Sequence, residues 1–289
     1  MLYLILGILC SALISLLMRY GEGKVKNNVA MFIFNYIVCV VLSCLFMNDF
    51  TLTKDKYPIT IILGVVSGVL YLVNLVLMET NISRNGVVLT ATFNKLGVII
   101  PTFMAMILFK EEPKLQQILG IIIVIISIVI INKRKKKDEI AKSELLLLIL
   151  LISSGLTDAT SNIFDKLGNN ELKDYFLLFI FASALICALI LWKIKKQSIS
   201  KWDIIIGVLV GVPNYLSSRF VLLALRSLPA IVVFPVYSVS TLAIITIAGI
   251  LIFKERLSKN KIIGILLIAL ALILLNVWKT KRLKLSLIG

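Results

Sequence analysis

The sequence has no histidine, only four cysteines, and half as much acid as base: 15 Asp and Glu stand against 31 Lys and Arg in 289 residues. Without histidine the commonest general base and the commonest imidazole metal ligand are missing, which excludes a Ser-His dyad and an H-E-x-x-H zinc site. No G-x-x-x-x-G-K-S/T phosphate loop occurs, so ATP hydrolysis by this chain is not expected. The D-x-x-x-D pairing that a magnesium-dependent prenyl transferase needs is absent from the apolar runs. An enzyme is therefore not expected, nor is a metal or organic cofactor. Cys10, Cys39, Cys44 and Cys187 all lie in apolar runs without C-x-x-C spacing and read as small buried hydrophobes.

What is abundant is apolar. Hydrophobic residues make up 60% of the chain and charged residues 16%, and the mean hydropathy is +1.03. No water-soluble domain covers such a composition, so the chain reads as an integral membrane protein. A spanning helix needs about 20 apolar residues, which leaves room for about ten spans and no separate soluble domain. Ten apolar runs follow: Leu2 to Met18, Val29 to Met47, Ile59 to Met78, Gly86 to Phe109, Leu115 to Ile131, Leu145 to Phe164, Tyr175 to Trp192, Ile204 to Leu225, Pro229 to Phe253 and Ile262 to Trp278. The first begins at residue 2 without a basic n-region or a small-residue cleavage site, so it is read as a retained span. The formal charge of +16 sits in loops, where cytoplasmic positioning and anionic headgroups account for it. No basic face interleaved with aromatics exists to hold nucleic acid.

The longest polar interruption, from Asn132 to Lys142, divides the runs five and five. A repeat accompanies the division. FKEEPKLQQILG (109–120) and the apolar stretch to Asn132 match FKERLSKNKIIG (253–264) and the stretch to Asn276 without a gap, with seven of 24 positions identical. Gly64-x-x-x-Gly68 recurs as Gly207-x-x-x-Gly211, a spacing that lets two membrane helices approach closely. An odd number of helices per repeat makes the second half enter the membrane from the opposite side. The expected fold is an all-α integral membrane protein of ten transmembrane helices in two inverted five-helix repeats. The first occupies residues 1–132, a basic linker 133–143, and the second 144–289. Of the basic residues, 18 fall on the linker face and 11 on the face of the termini, so the positive-inside rule places the linker in the cytoplasm. One chain that supplies both halves of a two-fold site points to a monomer or a weak homodimer.

Ionisable side chains deep in a membrane helix cost about 2.5–3.5 kcal/mol on insertion scales and are functional candidates by default. Lys95 lies roughly 13 Å into its run and Asp158 roughly 20 Å from the same face, at 1.5 Å per residue. Asp158 stands in the polar stretch Thr157 to Asn162, which must face protein or water. The two could form a buried ion pair or a substrate site, and these readings differ in protonation: an isolated carboxyl in low dielectric is neutral, one beside an ammonium is ionised. A zwitterion would set its ammonium on Asp158 and its carboxylate on Lys95 or Arg219. Arg219, near a helix end, is equally readable as a structural residue whose stem reaches the interface. Asn74 and Asn94 add polar lining. Glu111 and Glu255, at one repeat position, read as helix-start carboxylates stabilised by the dipole of the helix that follows each.

The fivefold run pattern, the inverted duplication and the F-K-E-E/R turn before a glycine-bearing last helix resemble the EamA-like branch of the drug/metabolite transporter superfamily, over essentially the whole chain. That resemblance implies a ten-helix secondary transporter with both termini cytoplasmic, opposite to the charge count. Each half also resembles the four-helix small multidrug resistance proteins, with MRYGEG (18–23) similar to the end of their first helix. Those proteins carry a membrane-embedded Glu eight residues before the basic residue of that motif. The matching positions here are Ser11 and Asp158, so the acid is kept in one half only. The Trp of their third helix falls on Tyr237 and, in the first half, on Phe93, while a Tyr of their second helix falls on Asn214 and Tyr71. These departures speak against cationic drugs as the substrate.

The sequence therefore predicts a secondary transporter in the plasma membrane, working as an exporter of small metabolites, foremost amino acids or related zwitterions, by alternating access around a midplane cavity. Its expected wall comprises Asp158, Lys95, Tyr71, Asn74, Phe93, Asn94, Asn214, Arg219 and Tyr237, with Asp158 as the coupling residue for protons. Gly64, Gly68, Gly207 and Gly211 are expected to pack helices, and membrane lipids are the other expected partners. A multidrug or cation–proton antiporter and a flippase for a lipid-linked substrate are the alternatives.

Overall fold

In hydrocarbon every backbone N–H and C=O must be paired within the segment, so apolar runs of this length fold as helices. The computed structural model describes residues 1–47, 57–97, 99–100, 119–120, 122–123, 126–127, 130, 137–169, 172–195, 198–227, 230–255 and 257–276. Among these there are no strands, and nine helices run in chain order: α1 (Leu2–Gly21), α2 (Asn28–Leu45), α3 (Tyr57–Asn85), α4 (Val87–Leu96), α5 (Lys137–Leu167), α6 (Lys173–Lys195), α7 (Lys201–Ser227), α8 (Ala230–Leu251) and α9 (Lys259–Asn276). Five of them, α1, α2, α3, α6 and α7, are long and apolar enough to cross a membrane, and α5, α8 and α9 carry shorter apolar stretches. The chain is an integral membrane protein, all helical in secondary structure among the described residues. The fifth run, Leu115 to Ile131, lies for the most part outside the described residues, as do Glu111 and the first part of the linker.

The helices are apolar on their outer faces as well as in the core, and bury polar groups between them. On α1, Leu2, Ile5, Leu9 and Leu13 are exposed at spacings of three and four, whereas Ser11 and Ser15 are buried. On α3, Ile62, Val65, Val66, Val69 and Val73 face outward while Thr60 and Ser67 are fully buried. Apolar stripes facing lipid and polar groups facing protein are what a bilayer selects.

Two helices outrun the apolar runs that predict them. α3 continues past Met78 through Glu79, Thr80, Asn81 and Ser83 to Asn85, and its polar side chains are satisfied by carbonyls one turn earlier, as Thr80 is by Val76 at 2.8 Å and Asn81 by Leu77 at 2.8 Å. α5 begins at Lys137, within the expected linker. Between α3 and α4 the chain turns at a single residue, Gly86, whose φ of +83° favours glycine.

Long-range packing joins the first half of the chain to the second. α1 and α2 pack on α7, α3 packs on α5 and α6, α2 on α6, α1 on α8, and α4 on α5 and α8. The expected glycine pairs sit at two of these contacts. A Cβ on Gly64 or Gly68 would strike Phe179, the Ile180 carbonyl and Ser183 of α6; one on Gly207 or Gly211 would strike the Met31 and Asn35 carbonyls of α2. Without a hydrophobic force between helices in lipid, close backbone approach of this kind contributes van der Waals packing that joins the helices. The start of α7 is locked to the α1–α2 turn by Asp203, whose carboxylate accepts from the backbone N–H groups of Lys26 (2.8 Å), Asn27 (3.2 Å) and Ser200 (2.8 Å).

Candidate functional site

A cavity of about 200 Å³ opens between α1, α3, α4, α5, α6, α7 and α8. It brings together seven of the nine expected wall residues: Tyr71 and Asn74 from α3, Asn94 and Lys95 from α4, Asp158 from α5, Asn214 from α7 and Tyr237 from α8. Helical spacing explains the grouping. Positions 71, 74, 75 and 78 share one face of α3, and 154, 157, 158 and 161 share one face of α5.

The charged pair is not a closed salt bridge. Asp158 is exposed within the cavity, and among the described residues its carboxylate accepts no hydrogen bond and joins no ion pair, although the field of Lys95 reaches it. Lys95 points its ammonium at the Ser11 hydroxyl, 3.2 Å away, and over the Tyr237 ring at 4.3 Å from the centroid. That cation–π contact holds the charge in place without spending Asp158 on it. Asn74 donates to the Asn94 side-chain oxygen at 3.4 Å, leaving its own Oδ1 unpartnered among the described residues. Tyr237 and Ser217 share a hydroxyl contact at 2.8 Å, and Tyr71 and Ser218 one at 3.4 Å. Asn214 donates to Asn35 Oδ1 at 3.1 Å, which fixes its amide against α2.

Two expected residues lie outside the wall. Phe93 is 1% exposed and packs in the core, because the cavity face of α4 carries positions 91, 94 and 95. Arg219 bonds Asp174 at 2.9 Å, the Tyr215 hydroxyl at 3.0 Å and the Phe46 carbonyl at 3.3 Å, so its donors tie α2, α6 and α7 together at one end of the bundle. Glu255 departs from the reading as a carboxylate on the helix that follows it: it accepts from the backbone N–H groups of Val87 (2.7 Å) and Val88 (3.3 Å), at the start of α4.

The sequence reading missed the hydroxyls of the wall: Ser11 and Ser15 on α1, Ser154, Thr157 and Ser161 on α5, and Ser217, Ser218 and Ser238 on α7 and α8. For Ser154, Ser161, Ser217 and Ser218 the available signal was a spacing of three or four residues from Asp158 or Asn214. No group of three or more His, Cys, Asp or Glu side chains able to hold a metal occurs among the described residues.

A sequence model of the EamA-like transporter family matches residues 1–133 and again 143–277. An uncharacterized protein of Haemophilus influenzae is 23% identical over 281 residues, covering 91% of this chain and 93% of its own. A crystal structure of a protein 12% identical in sequence superposes with a TM-score of 0.63 over 96% of this chain and 97% of the other, a likeness of fold.

Proposed function

Since the chain belongs to the EamA-like transporter family, whose members are membrane transporters of small molecules, we propose that it carries amino acids or related zwitterions across the plasma membrane as an exporter. Carriage proceeds by alternating access of the central cavity. The observation that carries the reading is the pair Asp158 and Lys95 lining one cavity, the acid without a direct partner among the described residues and the ammonium held aside by Ser11 and Tyr237. A substrate ammonium would take Asp158, and its carboxylate would take Lys95 and the neighbouring hydroxyls. The cavity volume of about 200 Å³ suits a small metabolite; pockets for drug-sized ligands run to about 300–1,000 Å³. A fixed ammonium in the wall weighs against a bare organic cation as cargo. Asn214, Tyr71 and Tyr237 shape the site, while Phe93 and Arg219 support it from behind.

Inverted repeats at 1–132 and 144–289, joined by the basic segment 133–143, supply the two interchangeable halves that alternating access uses. Reciprocal packing supports this: α1 on α7 mirrors α5 on α3, α2 on α7 mirrors α6 on α3, and α1 on α8 mirrors α5 on α4. On this reading ten spans complete the fold and a single chain, surrounded by lipid, suffices for transport. Asp158 doubles as the proton-coupling group, and no cofactor is required.

The test is counterflow of a labelled amino-acid mixture in liposomes at two internal pH values, for the wild type and Asp158→Asn. The wild type shows saturable counterflow with a pH effect; the variant loses at least tenfold in flux and the pH effect with it. Equal flux through both proteins would reduce Asp158 to a structural group, and no flux in either would redirect the search to lipid-linked or hydrophobic cargo.

A further inference from the structure

Transport as proposed requires a way to close the cavity at each end, and one end carries a built contact across the two halves. α4 follows α3 after a single residue, so its first N–H groups have no preceding turn to pair with. Glu255, in the turn between α8 and α9, fills that need from the other half of the chain. Its carboxylate accepts from Val87 at 2.7 Å and Val88 at 3.3 Å, and Arg19 at the end of α1 approaches it at 3.5 Å through Nε. The local backbone is shaped for this. Lys254 takes a left-handed φ of 52° to turn the chain, the Glu255 N–H donates to the Gly249 carbonyl at 3.0 Å, and a Cβ on Gly86 would sit 2.9 Å from both carboxylate oxygens. Gly249 in turn lets α8 lie directly against Val88.

At its other end α4 meets α5, where Gly97 and Gly155 leave no space for a Cβ and Ser154 donates to the Asn94 carbonyl at 2.8 Å. α4 is thus a ten-residue lever with a tight fulcrum on α5 and a charged clasp at its tip. Between the two stand Ala91, Asn94 and Lys95, all on the cavity wall. A carboxylate on two free helix N–H groups is a strong contact because both the hydrogen bonds and the helix dipole favour it, and the side chain is only 9% exposed.

We propose that Glu255 is a positioning residue that clasps the tip of α4 and so closes the cavity on the membrane face where Arg19 lies; releasing the clasp lets α4 swing about Gly97 and Gly155 and opens that face. This rests on alternating access as proposed above, and it adds that α4 is the moving wall. Because α4 carries Lys95, opening also displaces a substrate contact.

The experiment is labelling of a single cysteine, Ser15→Cys on the α1 cavity wall, by a membrane-impermeant thiol reagent applied from either face of oriented vesicles, with the four native cysteines replaced. Lys24→Cys in the α1–α2 turn marks the Glu255 face. Glu255→Ala should raise the ratio of labelling from that face to labelling from the other at least fivefold. Glu255→Gln, which keeps an acceptor but loses the charge, should raise it less, and Arg19→Gln less again. The last two carry the test if the alanine variant fails to accumulate. An unchanged ratio in all variants that accumulate, with wild-type counterflow intact, overturns the clasp and leaves the transport reading standing. A shifted ratio without amino-acid counterflow supports the clasp and overturns the substrate assignment. Unsaturable wild-type flux with no counterflow would indicate an open pore and overturn both.

Discussion

Tyr237 does two separable things in the cavity: its ring lies 4.3 Å from the Lys95 ammonium and its hydroxyl lies 2.8 Å from that of Ser217. Tyr237→Phe keeps the first and loses the second, so flux should stay within about threefold of wild type, the cost of about 0.5–1.5 kcal/mol for one neutral hydrogen bond being partly offset by water. Tyr237→Leu removes the ring and frees Lys95 to move toward Asp158. A cation–π contact contributes about 0.5–2 kcal/mol, and its loss closes the ion pair that substrate must open. The half-saturation concentration in counterflow should therefore rise roughly tenfold in Tyr237→Leu and only slightly in Tyr237→Phe; equal effects would show that the ring does not hold the ammonium. At this scale the sequence is legible where charge is costly. Asp158 and Lys95 announce themselves as ionisable groups in apolar runs, and the cavity contains both. Serine is less legible: Ser11 accepts from Lys95 at 3.2 Å, yet a serine costs little in a helix and so carries no signal by itself. Phe93 shows the limit of an ungapped alignment, since a shift of one position on α4 exchanges a core residue for the wall residue Asn94.

The glycine pairs set how closely α3 and α6, and α7 and α2, can pack. Gly68→Ile would force a side chain onto the Ser183 hydroxyl and onto the Ile180 carbonyl, which is backbone and cannot step aside. Overpacking of this kind costs about 1–3 kcal/mol, so the purified variant should unfold at lower temperature in detergent, and Gly211→Ile, aimed at the Asn35 carbonyl, should do the same. Val69→Ile, on the outward face of α3, meets no such partner and should leave the unfolding temperature unchanged; an equal drop there would show that the glycine contacts are not its cause. The two pairs were visible in the sequence by their spacing, but their partners were not, because the helix each one seats on belongs to the other half of the chain. The same reason hid the partner of Glu255. Its neighbours in sequence suggest the helix that follows, while its hydrogen bonds go to residues 167 and 168 positions away. Helix ends were blurred where hydropathy stops before hydrogen bonding does, as in the last turns of α3 and the first of α5.

Taken as a whole, the described bundle is interdigitated. α2 meets α6 and α7 far more extensively than it meets α3, and α6 likewise meets α2 and α3 more than α7. Each half by itself would therefore leave Ser67 and Asn35, both fully buried at the interface, facing lipid with their partners gone: Ser67 would lose Thr160 at 2.7 Å, and Asn35 would lose Asn214 at 3.1 Å. In hydrocarbon such groups have no water to turn to. A chain cut in the basic segment and expressed as residues 1–132 and 133–289 should consequently yield little of either fragment alone. Co-expression should give a complex that co-purifies through a tag on one fragment, because the contacts that stabilise the fold join the halves and do not depend on the covalent link. Asn35→Leu should weaken that complex, since it leaves the Asn214 amide buried without its acceptor, at a cost of about 1–3 kcal/mol. Stable accumulation of either fragment without the other would mean that each half is a folding unit, and the reciprocal packing of α2 with α7 and α3 with α6 would then be a docking of finished parts in place of the event that forms them.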